Sequence, residues 1–219
     1  MVTNSAASPR PDRRRARTRA ALLRAGQALF AERSVEGVSI DDIVAAADVA
    51  KGSFYNHFPD KDALARELAD LARTSVEAVV AHVTRGVDDP AERVARAICA
   101  FARQAAENPV GAGAMLRLFH GAGIPDHAMN RGVRADVQAG LAAGRFSGLA
   151  LESAVLLAVG VAQIATARSL EHADPRRAEA LAGDLVFGLL RGLGLETTSA
   201  RAVADEAAAA IFDGPSLLD

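Results

Sequence analysis

The segment Ser39–Phe58, SIDDIVAAADVAKGSFYNHF, leaves a chain little freedom in how it folds. Ser39 with Asp42 is a capping-box pattern ahead of Ile40, Ile43, Val44 and Ala47, so a short helix starts there and ends near Ala47-Asp48. Val49 fills the turn that follows. A second short helix covers Lys51–His57 and stops at Phe58-Pro59, because the residue before a proline avoids helical angles. Phe54 and Phe58 stand one helical turn apart. Anchoring both in a core turns Gly52, Ser53, Tyr55 and Asn56 outward, at about 100° per residue. Upstream, Leu22, Leu23, Gly26, Leu29 and Phe30 recur at helical spacing from Asp12 to Arg33, and Glu36-Gly37 breaks that helix. The result is a compact three-helix unit.

The outward face of the second helix has the chemistry of a surface that enters a DNA major groove. Asn56 can read adenine, Ser53 and Tyr55 can reach phosphates or bases, and Gly52 lets the backbone come close. Lys51, His57 and Lys61 lie at its edges, where phosphates would run. Charge points the same way. Arg10–Arg24 holds seven arginines against Asp12 alone, a local excess of +6 in a chain whose formal net charge is -2. Such asymmetry suggests a polyanion contact at one end. The arginine run has two readings: a phosphate or minor-groove arm, with Arg13, Arg14 and Arg17 the leading contributors, or a solvated helical surface.

The stretch GVSIDDIVAAADVAKGSFYNHFPDKDAL closely resembles the DNA-binding domain of the TetR (tetracycline repressor) family of bacterial transcriptional regulators. The pattern K-G-x-[FL]-Y-x-H-F-x-x-K is matched by Lys51, Gly52, Phe54, Tyr55, His57, Phe58 and Lys61, and the likeness extends over about Arg13–Asp70. It implies DNA contacts from Lys51, Gly52, Tyr55, His57 and Lys61, with Ser39 touching phosphate from the preceding helix. It also implies a homodimer, an all-helical ligand-binding body, and repression relieved by a small molecule. Two positions depart from the pattern. Asp48 stands where the family usually has a turn glycine, and aspartate tolerates the left-handed conformation better than most residues. Ala50 stands where Ser or Thr usually caps the second helix, which removes a cap and a phosphate contact.

Beyond Pro59 the expected helices run from Lys61 to about Arg85, Pro90 to Asn108, Met115 to Phe119, Pro125 to Gly144, Leu149 to His172, Pro175 to Arg191 and Ser199 to Phe212. No strand pattern or internal repeat is visible. The expected fold is therefore all-α: a lead-in over 1–11 read as disordered, a helix-turn-helix domain over 12–60, and a helical ligand-binding and dimerisation domain over 61–219. Leu149–His172 and Pro175–Arg191 read as apolar on most faces. The simplest way to cover both is the same pair in a second copy, although a monomer core would also accommodate them. Phe101, Met115, Leu118, Phe119, Met129, Val133 and Val137 could line a ligand cavity, with His120, His127, Asn130 and Gln163 as polar contacts; an ordinary core has the same composition. Gly121 and Gly123 would permit movement nearby.

Enzymatic readings find little support. His120 and His127 have no Cys or carboxylate arrangement that suggests a metal, and Gly111-Ala112-Gly113 lacks the trailing Gly-Lys-Ser/Thr of a phosphate loop. No Gly-x-Ser-x-Gly elbow is present, and Cys99 sits within an apolar helix as a buried small hydrophobe. Neither a cofactor nor a metal is expected. No secretory signal is visible, and the apolar stretch Ala154–Ala167 falls short of the ~18 residues that cross a bilayer, so a cytoplasmic protein without a membrane partner is expected. The reading is a ligand-released homodimeric repressor on a palindromic operator. Its competitor is a small-molecule-binding or enzymatic helical protein whose N-terminal unit only resembles a DNA reader.

Overall fold

The structure, a computed structural model of the chain, describes residues 10–118, 130–172 and 174–217. Among the described residues, all regular structure is helical: α1 (Arg10–Glu32), α2 (Ile40–Ala46), α3 (Lys51–Tyr55), α4 (Lys61–Val83), α5 (Pro90–Glu107), α6 (Pro109–Leu118), α7 (Arg131–Ala142), α8 (Leu151–His172), α9 (Pro175–Gly192) and α10 (Thr197–Phe212). The helix expected from Asp12 begins at Arg10, so the last two residues assigned to the lead-in are helical.

Two apolar clusters organise these helices. The first joins Leu22, Ala25 and Phe30 of α1 with Ile43, Val44, Phe54, Phe58 and the first turns of α4 through Leu64 and Leu68. The second is built around α5, which packs against α7, α8, α9 and α10. The long helix α4 contributes to both, with Val83 in the second cluster. At Gly26 a Cβ would stand 2.8 Å from a Leu64 methyl, so α1 crosses α4 at a separation that suits glycine.

Three sequence expectations need correction. The helix read as Met115–Phe119 starts at Pro109, since the Asn108 side chain accepts the Gly111 N–H at 3.0 Å and caps it. A Cβ at Gly111 would sit 2.6 Å from the Asn108 amide, so the glycine is what lets that cap form rather than a helix boundary. Second, α9 is largely covered by its own chain: Val186, Leu189 and Leu190 are buried, while its open stripe carries Arg177, Asp184, Gly188 and Arg191. Third, α8 as a whole is long and apolar enough to cross a membrane by length and composition, although 39% of that window is already buried against the other helices. What α8 leaves open is one face. Leu156, Leu157 and Ile164 are 37%, 38% and 55% exposed and, with Ser153 and Gly160, fall within an arc of about 100°.

Candidate nucleic-acid interface and cavity

The reading head is fixed from inside. Phe54 is fully buried and Phe58 nearly so, their ring centroids 5.7 Å apart, and the Tyr55 ring meets Phe54 edge-on at 5.6 Å. Tyr55 nevertheless remains 53% exposed. Gly52 and Asn56 are exposed beside it, with open space where a Gly52 Cβ would stand, and Ser53 is half-buried. α2 enters through the expected capping box: the Asp42 N–H donates to Ser39 Oγ at 3.1 Å, and the Ser39 N–H donates to Asp42 Oδ2 at 3.0 Å. The Ser39 N–H, together with the Ser39 hydroxyl that donates to the same Oδ2 at 2.9 Å, holds the Asp42 carboxyl below the usual carboxylate range. Asp48 adopts φ 53° in the turn, the left-handed conformation expected of it. α3 begins at Ala50 without a side-chain cap.

The charged surroundings divide into free and engaged groups. Arg13, Arg14 and Arg17 are exposed and make no ion pair among the described residues, so their guanidinium groups are available to a polyanion. Arg19 is not: it makes a bidentate bond to Glu67 of α4 and lies over the Phe58 ring at 5.1 Å, which ties α1 to α4 and to the turn between α3 and α4. His57 is half-buried, and burial followed by the nearby Arg15 and Arg19 charges lowers its pKa, so near neutral pH it offers a hydrogen bond rather than a charge. The same proximity places the start of α1 next to α3. Lys51 pairs with Asp41 at 2.7 Å on the open surface, an interaction weak enough to exchange for a phosphate.

Lys61 differs from its expected role. Its ammonium donates to the carbonyl oxygens of Val35, Glu36 and Val38 at 2.9, 3.1 and 3.0 Å, and so closes the turn between α1 and α2 onto the start of α4. We expect Lys61→Met to lower stability by about 1–2 kcal/mol, read by chemical denaturation, through loss of charge-assisted bonds. It should change the salt dependence of DNA binding by less than one charge per protomer, whereas a phosphate contact would change it by about one.

The body holds a partly open cavity of about 300 Å3 bounded by α4, α5, α6, α7 and α8. Val76, Val80, Ile98, Phe101, Met115 and Val133 form apolar walls, and Arg93, Asn130, Asp136, Gln163 and Thr166 supply polar groups. Of the residues expected to line a cavity, Phe101, Met115, Val133, Asn130 and Gln163 do so. Phe119, His120, His127 and Met129, and with them Gly121 and Gly123, lie outside the described residues. Val137 is buried in the core instead, and Leu118 lines a second cleft of about 280 Å3 between α1, α4, α5 and α6. The two spaces share Val76 and Met115 as a common wall. Sequence reasoning missed Arg93 and Asp136, which join α5 to α7 through an Nε–Oδ1 bond of 2.6 Å. The signal for Asp136 was a carboxylate set within the apolar stripe Val133, Val137 and Leu141.

Among the described residues, no group of three or more His, Cys, Asp or Glu side chains could hold a metal. Cys99 is fully buried, and burial with a smaller contribution from Glu179 pushes its thiol up to about 12, far from a reactive thiolate.

Comparison with known proteins joins both halves to one family. Residues 22–68 match the model of the bacterial regulatory proteins of the tetR family, and residues 89–206 match a tetracyclin repressor-like C-terminal domain. The HTH-type transcriptional repressor DhaR of Mycobacterium sp. (strain GP1) is 45% identical over 58 residues, 24% of this chain and 29% of that protein. The probable acrEF/envCD operon repressor of Escherichia coli (strain K12) is 27% identical over 118 residues, 53% of this chain and 54% of its own. The match thus spans 29% of the length of the first of these curated relatives and 54% of the second. Among solved structures, RolR in complex with resorcinol superposes with a TM-score of 0.63 at 28% identity, covering 88% of this chain and 95% of that one. A gamma-butyrolactone receptor shares the fold at 22% identity, with a TM-score of 0.68 over 91% of this chain and 98% of its own. With one family's reader and one family's body matched in order along the sequence, the chain belongs to the tetR family of bacterial regulatory proteins.

Proposed function

We propose that the protein is a homodimeric transcriptional repressor that binds a palindromic operator through α3 and leaves it when a small molecule fills the cavity of the body. The observation that carries this reading is the exposed Tyr55, Gly52 and Asn56, held outward by buried Phe54 and Phe58, beside Arg13, Arg14 and Arg17, which make no ion pair among the described residues. α3 supplies groove contacts, with Ser53 at the side, while the start of α2 at Ser39, Lys51, His57 and the α1 arginines supply backbone contacts. Lys61 acts as a positioning residue. DhaR and the acrEF/envCD relative are named as repressors, and the RolR structure holds resorcinol, a small aromatic ligand. Such a protein works in the cytoplasm, where the chromosome is.

The open apolar face of α8 supports a two-fold partner. A second copy laid against Leu156, Leu157 and Ile164, with the α9 stripe alongside, would cover it and hold two readers on half-sites about one helical turn apart, or a multiple of it. Ligand occupancy has a short path to the reader. Val76 lies on α4, whose first turns belong to the reader's core, and Met115 lies on α6, which packs along α1. A ligand that favours one spacing of the readers shifts the population away from DNA.

The test is fluorescence anisotropy on the DNA upstream of the protein's own gene at several salt concentrations. Arg13→Ala, Arg14→Ala and Arg17→Ala together should weaken binding and reduce the logarithmic salt slope by about 5 for the dimer, about 0.9 for each of six phosphate contacts. An unchanged slope contradicts the arginine arm, and absence of binding at low salt contradicts the reading as a whole.

A further inference from the structure

The polar end of the cavity is balanced in charge. Arg93 and Asp136 meet there through the 2.6 Å Nε–Oδ1 bond, and Asp136 is about nine-tenths buried. The remaining Arg93 bonds are long ones from Nη1 to the Thr84 and Val87 carbonyls at 3.4 Å. Arg93 Nη2 and Asp136 Oδ2 therefore keep a donor and an acceptor unspent among the described residues. Gln163 lines the same space and its amide makes no hydrogen bond among the described residues. The Thr84 and Thr166 hydroxyls donate to the carbonyls of Val80 and Ala162 on their own helices, at 2.7 and 2.8 Å, so toward the cavity they can only accept. At the rim, Glu77 is already paired with Arg73 at 2.9 Å and faces Arg131 at 3.7 Å.

Resting on the regulator reading above, we propose that the cavity selects a compact, neutral, largely apolar molecule with a hydroxyl group that bridges the Arg93–Asp136 pair. A hydroxyl both donates and accepts, so it can give its proton to an Asp136 hydrogen bond and take one from Arg93. A carboxylate satisfies Arg93 but faces the Asp136 charge, an ammonium does the reverse, and an ether or ketone leaves Asp136 unsatisfied. Each mismatch sets a like charge against one member of the pair or leaves the spare Asp136 oxygen or Arg93 N–H unsatisfied at the ligand contact, which costs more than the bond is worth. The volume stands at the small end of ligand pockets and fits one ring with short substituents.

Four single-ring probes separate these cases by calorimetric titration of the full-length dimer at pH 7: phenol, anisole, benzoate and benzylammonium. Phenol, neutral at that pH as a tyrosine side chain is, should bind at least about tenfold more tightly than the other three. A match by benzoate, benzylammonium or anisole overturns the proposal, as does a failure of phenol to saturate. Asp136→Asn leaves the Arg93 cation alone and should reverse the order of phenol and benzoate. Should that variant unfold, the double change Arg93→Met with Asp136→Leu removes both charges together, a replacement that buried pairs tolerate. It should bring the phenol-to-anisole ratio to about one, and persistence of a tenfold ratio contradicts the bridge. Upstream DNA binding is measured on the same preparations. DNA binding with the wrong probe order defeats the cavity proposal alone, and the right probe order without DNA binding defeats the regulator reading alone.

Discussion

Phe54→Ala is expected to dissolve the reading head while leaving the body helical. Phe54 is fully buried, touches Phe58 and Tyr55 through its ring, and sits in a cluster separate from the one around α5. Truncating a buried phenylalanine costs about 3–5 kcal/mol in lost transfer energy and cavity formation. The aromatic contacts add about 0.5–1.5 kcal/mol each. α3 spans only Lys51–Tyr55 and has no N-terminal side-chain cap, so it has little stability of its own to offset that loss. Calorimetry should show an early transition separated from melting of the body, and amide exchange should become fast over α2 and α3. Operator binding should be lost with it. Cooperative melting with a loss below about 1 kcal/mol would contradict the packing described here.

The second large effect concerns the open face of α8. Leu156→Glu with Ile164→Glu places two carboxylates where a second copy is proposed to bury leucine and isoleucine. α9 approaches α8 closely at Gly192, where a Cβ would stand 3.2 Å from a Leu157 methyl. An unpaired buried charge costs about 3–5 kcal/mol, and a two-fold interface repeats each change. Analytical ultracentrifugation should show monomers with unchanged helical content. Affinity for a palindromic operator should fall at least about a hundredfold, because the half-sites would then be bound independently. A dimer that survives both changes would place the interface elsewhere.

Much of the reader was legible because its constraints are local. Phe54 and Phe58 at one-turn spacing determine which side of α3 faces out, and Ser39 with Asp42 marks the start of α2. The Asp48 and Ala50 departures also read correctly, as a left-handed turn residue and an uncapped helix. Long-range partners were not legible. Nothing near Lys61 in the sequence signals that its ammonium is taken up by carbonyls of the Val35–Val38 turn. Arg19 and Glu67 meet across 48 residues, and Arg93 and Asp136 across 43, so spacing along one helix cannot reveal either pair. The start of α6 was misplaced because glycines lower helix propensity, while the Asn108 cap that outweighs them depends on local three-dimensional geometry. α9 looked apolar on most faces because its leucines are numerous, yet its charges gather on one stripe.

The central claim is that the exposed side of α3 meets base pairs, and Tyr55→Ala tests it most directly. Tyr55 is 53% exposed, so its removal should cost no more than the edge-on Phe54 contact, about 0.5–1.5 kcal/mol, and leave a folded protein of unchanged dimer mass. Anisotropy titration of the upstream operator should then show affinity reduced at least about tenfold, with nonspecific DNA bound as before. Operator affinity equal to that of the wild-type protein, measured in a folded dimer, would contradict the account.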